Sequence, residues 1–558
     1  MPETAWWKKE AIYQIYTRSF NDTNGDGIGD IPGIIEKLDY LKGLGVGIIW
    51  LSPVYASPDR DNGYDISDYR AIHPGYGTME DMDRLIDQAG QRGIRIIMDL
   101  VINHTSDRHE WFQKSRKGIE PYRDYYIWRD GKKGKLPNNW TSFFAEDCWV
   151  FDEERQQYYL HLFAKEQPDL NYRNPGVLEE VKAVLEFWLD KGVAGFRCDV
   201  INVIFKNSLD NGRRKLVLTG SEHYLSTPGN HEILKELRRD VLDRYDCFTV
   251  GETVFVTPEE GRMLSHPDRK ELDMIFSFEH MEADQYFVKW FKRKFSPRRF
   301  GRALDRWQRE IPWNANYFEN HDQLRSVSRF GDDRQYHRES ATMLATLLLS
   351  LRGSPFIFQG QEIGMTNFDY KSMDEVEDVE SHNVYAFLKG LHLSEKRCWN
   401  MIRASSRDNG RTPVQWSAGR QSGFTTGTPW LGINGNYVQI NVESQMEDPD
   451  SIWNYYRRML ALRRNSPVLI DGDYEPLKIS KRLFAFRRIL KNKRWAVLLN
   501  FSSKTVPAEC QGRIIMGNYK RDSFDGKLNP YEGIILEETE TSISLKPVRL
   551  FSKQTAVN

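Results

Sequence analysis

The chain has 558 residues, with 78 basic and 79 acidic side chains and a formal net charge of -1. Such a length predicts two or three domains at roughly 100–200 residues each, and the even charge balance excludes a long nucleic-acid stripe or a basic membrane-binding face. Five scattered cysteines (Cys148, Cys198, Cys247, Cys398, Cys510), with no close CxxC pair, argue against a zinc site and a disulfide framework. The first residues, MPETAWWKKE, offer no apolar export segment, and no apolar run reaches the length of a membrane span, so a soluble cytoplasmic protein is expected. The 16 tryptophans and 26 tyrosines are core residues by default, although their faces also suit sugar rings.

In chain order, AIYQIY (11–16) reads as the first buried strand and is followed by DTNGDGIGD (22–30). Asp22, Asn24, Asp26 and Asp30, with the Ile28 carbonyl, place hard oxygens on a glycine-relaxed loop; the alternatives are a calcium site and a solvated turn. An EF-hand is excluded, because its twelfth position falls on Gly33. Further apolar runs follow at GVGIIWLSP (45–53), GIRIIMDLVINH (93–104), GFRCDV (195–200), CFTVGE (247–252), LDMIFSF (272–278), NYFENHD (316–322) and SPFIFQG (354–360). Separated by helical stretches such as MEDMDRLIDQAGQRG and VLEEVKAVLEFWLDKG, these eight runs predict an α/β fold, a closed (β/α)8 barrel of parallel strands. Residues 105–174, rich in aromatics, Asn, Pro and charge, interrupt the pattern after strand three and predict an inserted subdomain. From 470 onward LFAFRRIL, RWAVLLNFS, GRIIMGN, EGIILEE and SISLKPVRLF predict a C-terminal antiparallel β domain, leaving 1–104 and 175–469 as the two parts of the barrel.

Barrel enzymes carry their chemistry at the C-terminal ends of strands. Three such ends supply carboxylates: Asp199, Glu252 and Asp322. One alone could cap a helix; three on strands four, five and seven, with Arg197, Asn103, His104 and His321 nearby in sequence, are the set that glycoside cleavage requires. Arg197 lies two residues before Asp199, on the same face of the strand, and is expected to hold its pKa down. That makes Asp199 the nucleophile, Glu252 the acid, and Asp322 the carboxylate that steadies the distorted sugar.

DLVINH (99–104), GFRCDV (195–200), VGE (250–252) and NHD (320–322) together resemble the four ordered blocks of the α-amylase superfamily, glycoside hydrolase family 13, over nearly the whole chain. The resemblance implies the same three catalytic roles, with Arg197, His104, Phe163 and His321 around the first sugar. DNGYDISDY (61–69) is similar to the exo-acting α-glucosidase and oligo-1,6-glucosidase branch, which implies that Asp61 and Tyr64 meet the non-reducing-end glucose. SRDNGRTPVQW (406–416) resembles a second marker of that branch; Arg407, or failing that Arg411, is implied to pair with Asp61 and close the pocket. The same resemblance implies structural calcium on Asp22, Asn24, Asp26, Ile28 and Asp30, with no cofactor in the chemistry.

Val200, directly after the nucleophile, resembles the α-1,6 type. A β-branched side chain there crowds a ring-linked leaving sugar, while the extra methylene of a 1,6 link bends around it. The expected partners are short α-glucosides, with no nucleic acid or membrane, for a monomeric enzyme. Related frames remain as alternatives: α-1,4-glucosidase, glucan-1,6-glucosidase, trehalose-6-phosphate hydrolase, sucrose isomerase, and a barrel that only binds sugar. QLRSVSRFGDD, with Arg325 and Arg329, lacks the RLDRD-type pattern of the isomerases, and KNSLDNGRRK (206–215) is the stretch to watch for phosphate binding.

Overall fold

A computed structural model describes residues 5–538 apart from 133, 145 and 216. Eight parallel strands close a barrel: β1 (Ile12–Ile15), β2 (Ile48–Leu51), β3 (Arg95–Leu100), β4 (Gly195–Cys198), β5 (Phe248–Glu252), β6 (Met274–Phe276), β7 (Ala315–Asn316) and β8 (Ser354–Phe358). Neighbours in sequence are neighbours in the barrel, and β8 pairs with β1 to complete it. Nearly every strand residue is buried, because helices cover the outside while side chains fill the inside. Among the covering helices, α1 (Met79–Gln91) starts on a Thr78/Asp81 capping box, and α2 (Pro175–Asp190) starts on Asn174 with Pro175 in its first turn.

Seven of the eight expected runs contain their strand, but β7 ends at Asn316, so nearly all of NYFENHD is a loop over the barrel mouth. After β2, an irregular pairing of Tyr55–Ala56 with Asp68–Ile72 holds up the loop bearing Asp61 and Tyr64. The segment between β3 and α2 contains a three-stranded antiparallel sheet, in the order Trp128–Arg129, Gln157–Leu160, Trp149–Asp152. A small core beneath it, with Trp140, Trp149, Leu160 and Leu162, also takes in Val200 and Val203. The insertion therefore shares packing with the loop that leaves the nucleophile strand.

The C-terminal sheet runs β9 (Asp473–Ile479), β10 (Leu483–Leu490), β11 (Lys493–Asn500), β13 (Gly533–Glu538), β12 (Gly512–Gly517), antiparallel throughout. The expected strand SISLKPVRLF lies outside the described residues. Gly533 admits the sheet close to Thr346 and Met343 of helix α3 (His337–Ser350), where an added Cβ would lie 3.0–3.1 Å from their atoms. Arg488, fully buried, donates to the carbonyls of Ser350 (2.7 Å) and Leu469 (2.8 Å), tying sheet to barrel. No helix among the described residues is long and apolar enough to cross a membrane.

Candidate active site

Register sets the centre of the site. Arg197 on β4 lies beside Asp99 on β3 and Val250 on β5, and Cys198 pairs with Gly251, so Asp199 and Glu252 leave their strands side by side. Arg197 is 1% exposed and reaches all three acids: Nη1 donates to Asp99 Oδ1 (2.5 Å) and Asp199 Oδ1 (2.6 Å), and Nη2 to Glu252 Oε2 (2.6 Å). Asp99 also accepts from Trp50 Nε1 (2.9 Å). One guanidinium thus gathers three carboxylates at the barrel mouth.

The expectation that Arg197 holds Asp199 low is corrected by this sharing. Burial pushes the Asp199 carboxyl well above the usual range; Arg197 pulls it down, but the charges of Glu252 and Asp99 and a hydrogen bond with Glu252 add to the rise. Asp99 is itself pushed up to about 6, by burial first, against the pull of Arg197. Asp199 and Glu252 are therefore two carboxyls that share one cation between them.

Around this centre the first sugar pocket is built from polar and aromatic side chains. The Tyr64 hydroxyl lies 2.7 Å from His321 Nε2 and donates to Asp99 Oδ2 (3.2 Å); Gln14 Nε2 lies 2.7 Å from His321 Nδ1. His104 Nε2 faces the Tyr64 carbonyl at 3.1 Å, and its ring sits 5.1 Å from that of Phe163. Phe163 in turn stacks on Phe143 at 4.7 Å. Burial drives His104 down to about 4 and His321 to about 3, so both are neutral hydrogen-bonding groups near pH 7.

Asp322 faces the neutral His321, Nε2 at 3.2 Å, and two cations, Arg411 Nη2 at 2.9 Å and Arg407 Nη1 at 3.3 Å. Burial acts upward on it, but the two guanidiniums together with the His321 contact outweigh burial and hold the carboxyl well below its usual range. Arg407 also meets Asp61 at 3.4 Å, whereas Arg411 turns to Asp322 and to the His321 carbonyl (2.8 Å). Arg407 is anchored mainly on Asp378, 2.7 Å from Nη2, with Glu380 at 3.5 Å. Asp61 additionally accepts from Gln167 Nε2 (3.3 Å).

Sequence reasoning missed Gln14, Asp99, Gln167 and Asp378. Gln14 and Asp99 left a signal, each a polar residue inside an apolar run. Gln167 and Asp378 stand in polar loops and left none.

Val200 adopts a left-handed conformation (φ 35°, ψ 40°), unusual for a β-branched residue, and turns its side chain into the core under the insertion. Lys206 is buried between Asp169 Oδ2 (2.5 Å) and Asn103 Oδ1 (2.7 Å), and Lys215 is paired with Ser221 and Glu222, so neither is a free phosphate ligand. Arg325 and Arg329 are similarly committed, the first to the Gln359 carbonyl and Glu319, the second to Asp284 and Gln323.

The 22–30 loop is a succession of Asx turns. Asp22 Oδ1 accepts from the Asn24 N–H (3.0 Å), Asn24 Oδ1 from Asp26 (2.8 Å) and Asp26 Oδ1 from Ile28 (2.8 Å), while Asp30 caps the helix Ile31–Glu36. Gly25 and Gly27, at φ 81° and 91°, make the turns possible. Among the described residues no three His, Cys, Asp or Glu side chains converge as a metal site, so a cation here would need the Asn24 and Ile28 oxygens as much as the carboxylates. The donor set, all oxygen, fits a hard cation.

Residues 14–472 match the family described as alpha amylase, catalytic domain. The chain is 49% identical over 552 residues to the oligo-1,6-glucosidase of Parageobacillus thermoglucosidasius, a match covering 95% of this chain and 98% of that protein. It is 42% identical to the trehalose-6-phosphate hydrolase of Bacillus subtilis over 558 residues, covering 96% of this chain and 99% of the relative. The solved structure of the trehalulose synthase of Pseudomonas mesoacidophila superposes with a TM-score of 0.92 at 39% identity, covering 96% of this chain and all of that one. On this evidence the chain belongs to the α-amylase family and is a glycoside hydrolase.

Proposed function

We propose that the protein is a retaining, exo-acting α-glucosidase that hydrolyses terminal α-1,6-glucosidic bonds of isomaltose and short isomaltooligosaccharides. The observation that carries this reading is the single Arg197 guanidinium bonded at once to Asp199 Oδ1 and to Glu252 Oε2, each at 2.6 Å, which draws the two carboxyls together at the ends of neighbouring strands. A close carboxyl pair favours retention, a wide one inversion. Asp199 attacks the anomeric carbon while Glu252 gives its proton to the departing glycosidic oxygen. The resulting β-glucosyl ester on Asp199 is opened by a water that returns its proton to Glu252, releasing α-glucose. Asp322, kept ionised by Arg407 and Arg411, accepts hydrogen bonds from ring hydroxyls and favours the positive charge that develops on the sugar.

Asp61, Arg407 and Asp378 support a pocket closed beyond one sugar, which limits the enzyme to chain ends. Val200 and the identity to oligo-1,6-glucosidases support the 1,6 link. The buried commitments of Arg325 and Arg329 argue against a fructose-holding isomerase, and the buried pairing of Lys206 with Asp169 against a phosphate-specific hydrolase. On this reading the enzyme works in the cytoplasm as a monomer, with short α-glucosides as its partners, and needs neither nucleic acid nor membrane. Calcium is proposed for the oxygen set of Asp22, Asn24, Asp26, Ile28 and Asp30; when bound it braces the loop and takes no part in bond cleavage.

The test is a competition among isomaltose, isomaltotriose, maltose, sucrose, trehalose and trehalose-6-phosphate, with products resolved by chromatography. Isomaltose and isomaltotriose should be consumed first. Preference for maltose, cleavage of the phosphorylated sugar alone, or accumulation of isomaltulose or trehalulose from sucrose would each overturn the assignment.

A further inference from the structure

The short turn Ile201–Val203 after β4 carries a buried amide with no place in the chemistry described above. Asn202 is fully buried; its Nδ2 donates to the Val254 carbonyl (2.9 Å) and Ser226 Oγ (3.2 Å), and its Oδ1 accepts from the Val254 N–H (3.0 Å). One side-chain amide thus satisfies both backbone groups of Val254, as a neighbouring strand would. Its own carbonyl accepts from the Ser226 N–H (2.7 Å), so the turn is held on both sides.

Val254 lies two residues beyond Glu252, and Val200 two residues before Asn202. The Val200 N–H donates to Glu252 Oε2 at 3.3 Å, from a left-handed conformation that costs energy for a β-branched residue. Arg197 Nη2 donates to the same Oε2 at 2.6 Å. With both N–H donors on Oε2, a proton on Glu252 has its place on Oε1. The direction of the acid is fixed by two loops that Asn202 joins.

We propose that Asn202 is a positioning residue for the acid/base: by clamping Val254 and holding the Val200 turn, it keeps Oε2 occupied and presents a protonated Oε1 to the glycosidic oxygen. This rests on the reading of Glu252 as the acid. A misdirected acid is felt most by a leaving group that needs protonation and little by one that departs as a stable anion.

The experiment compares kcat/KM for isomaltose and for p-nitrophenyl α-glucoside in Asn202→Ala, Asn202→Asp and Glu252→Gln. Kcat/KM reports the step in which the leaving group departs. Asn202→Ala should lose about 10–100-fold on isomaltose and no more than about threefold on the aryl glucoside. Asn202→Asp keeps the acceptor for the Val254 N–H but sets an oxygen against the Val254 carbonyl; it should show the same discrimination and decides the matter if the alanine variant has no cooperative thermal transition. Equal losses on both substrates in the Asn202 variants, with Glu252→Gln still discriminating, would overturn the positioning role alone. Equal losses in Glu252→Gln would instead remove the reading of Glu252 as the acid.

Discussion

Val200 is a packing residue and a hydrogen-bond donor at once, and on the proposed reading a wall of the passage to the second sugar. Its side chain belongs to the core under the insertion, its N–H reaches Glu252, and its backbone is left-handed. Replacing Val200 with Ala removes two methyl groups from the passage to the second sugar, so the isomaltose-to-maltose ratio of kcat/KM should fall by roughly tenfold or less. An unchanged ratio would remove Val200 as the gate. Asp99 offers a second test at this scale. Its charge raises Asp199 and it takes a share of Arg197; Asp99→Asn removes the first effect and frees the arginine for the second. Both changes lower the pKa of Asp199, so the nucleophile ionises at lower pH. The acidic limb of kcat/KM, where the nucleophile must ionise, should move to lower pH. No movement, or movement upward, would contradict the hold of Asp99 on Asp199.

The insertion and the 22–30 loop act as elements, each bracing the site from a different side. Lys206 joins the insertion, through Asp169, to the end of β3, through Asn103; Asp169 is fully buried. Lys206→Met leaves that carboxylate without its cation, and a loss of about 3 kcal/mol is expected from thermal or urea unfolding. A change below about 0.5 kcal/mol would show that the pair is dispensable. The 22–30 loop docks on residues 424–430 through Asp22 N–H to the Phe424 carbonyl (2.9 Å) and Trp430 N–H to the Gly27 carbonyl (3.0 Å), and Ser19 nearby donates to the Arg411 carbonyl (2.5 Å). A cation in the loop would therefore steady the segment that carries the pocket arginines. Chelation by EDTA should lower Tm by a few degrees, with recovery on adding calcium and little on adding magnesium. Protein that contains no calcium by elemental analysis and melts identically in EDTA would contradict the calcium site.

Legibility also differs by element. The barrel strands could be read because most are short, largely apolar runs set between helical stretches, as in FTVGE with Glu252 at its end. β7 was misplaced because its two residues, Ala315–Asn316, precede the more apolar Tyr317–Phe318, which sit in the loop. β9 went unread because DYEPLKI is a half-exposed edge strand with Pro476 and a register shift between Pro476 and Lys478, and so shows no alternation.

For the whole molecule, long-range order is what brings the catalytic set together. Asp199 and Glu252 could be proposed from local motifs. Gln14, which faces His321, and Arg407, which faces Asp322 and Asp61, come from opposite ends of the barrel sequence, and Asp378, the main anchor of Arg407, stands in a polar stretch that no periodicity marks. The C-terminal sheet completes the cover of the same barrel, with Phe484, Phe486, Val497 and Ile535 in one core with the barrel strands. Closing that frame sets Asp199 and Glu252 against each other on Arg197, and the retaining reaction is the central consequence. Proton NMR of isomaltose hydrolysis in its first minutes, before mutarotation, tests it most directly: the newly released sugar should carry the α-anomeric signal, with the β signal growing only later. An initial β-glucose signal would contradict the retaining mechanism and the roles assigned to Asp199 and Glu252.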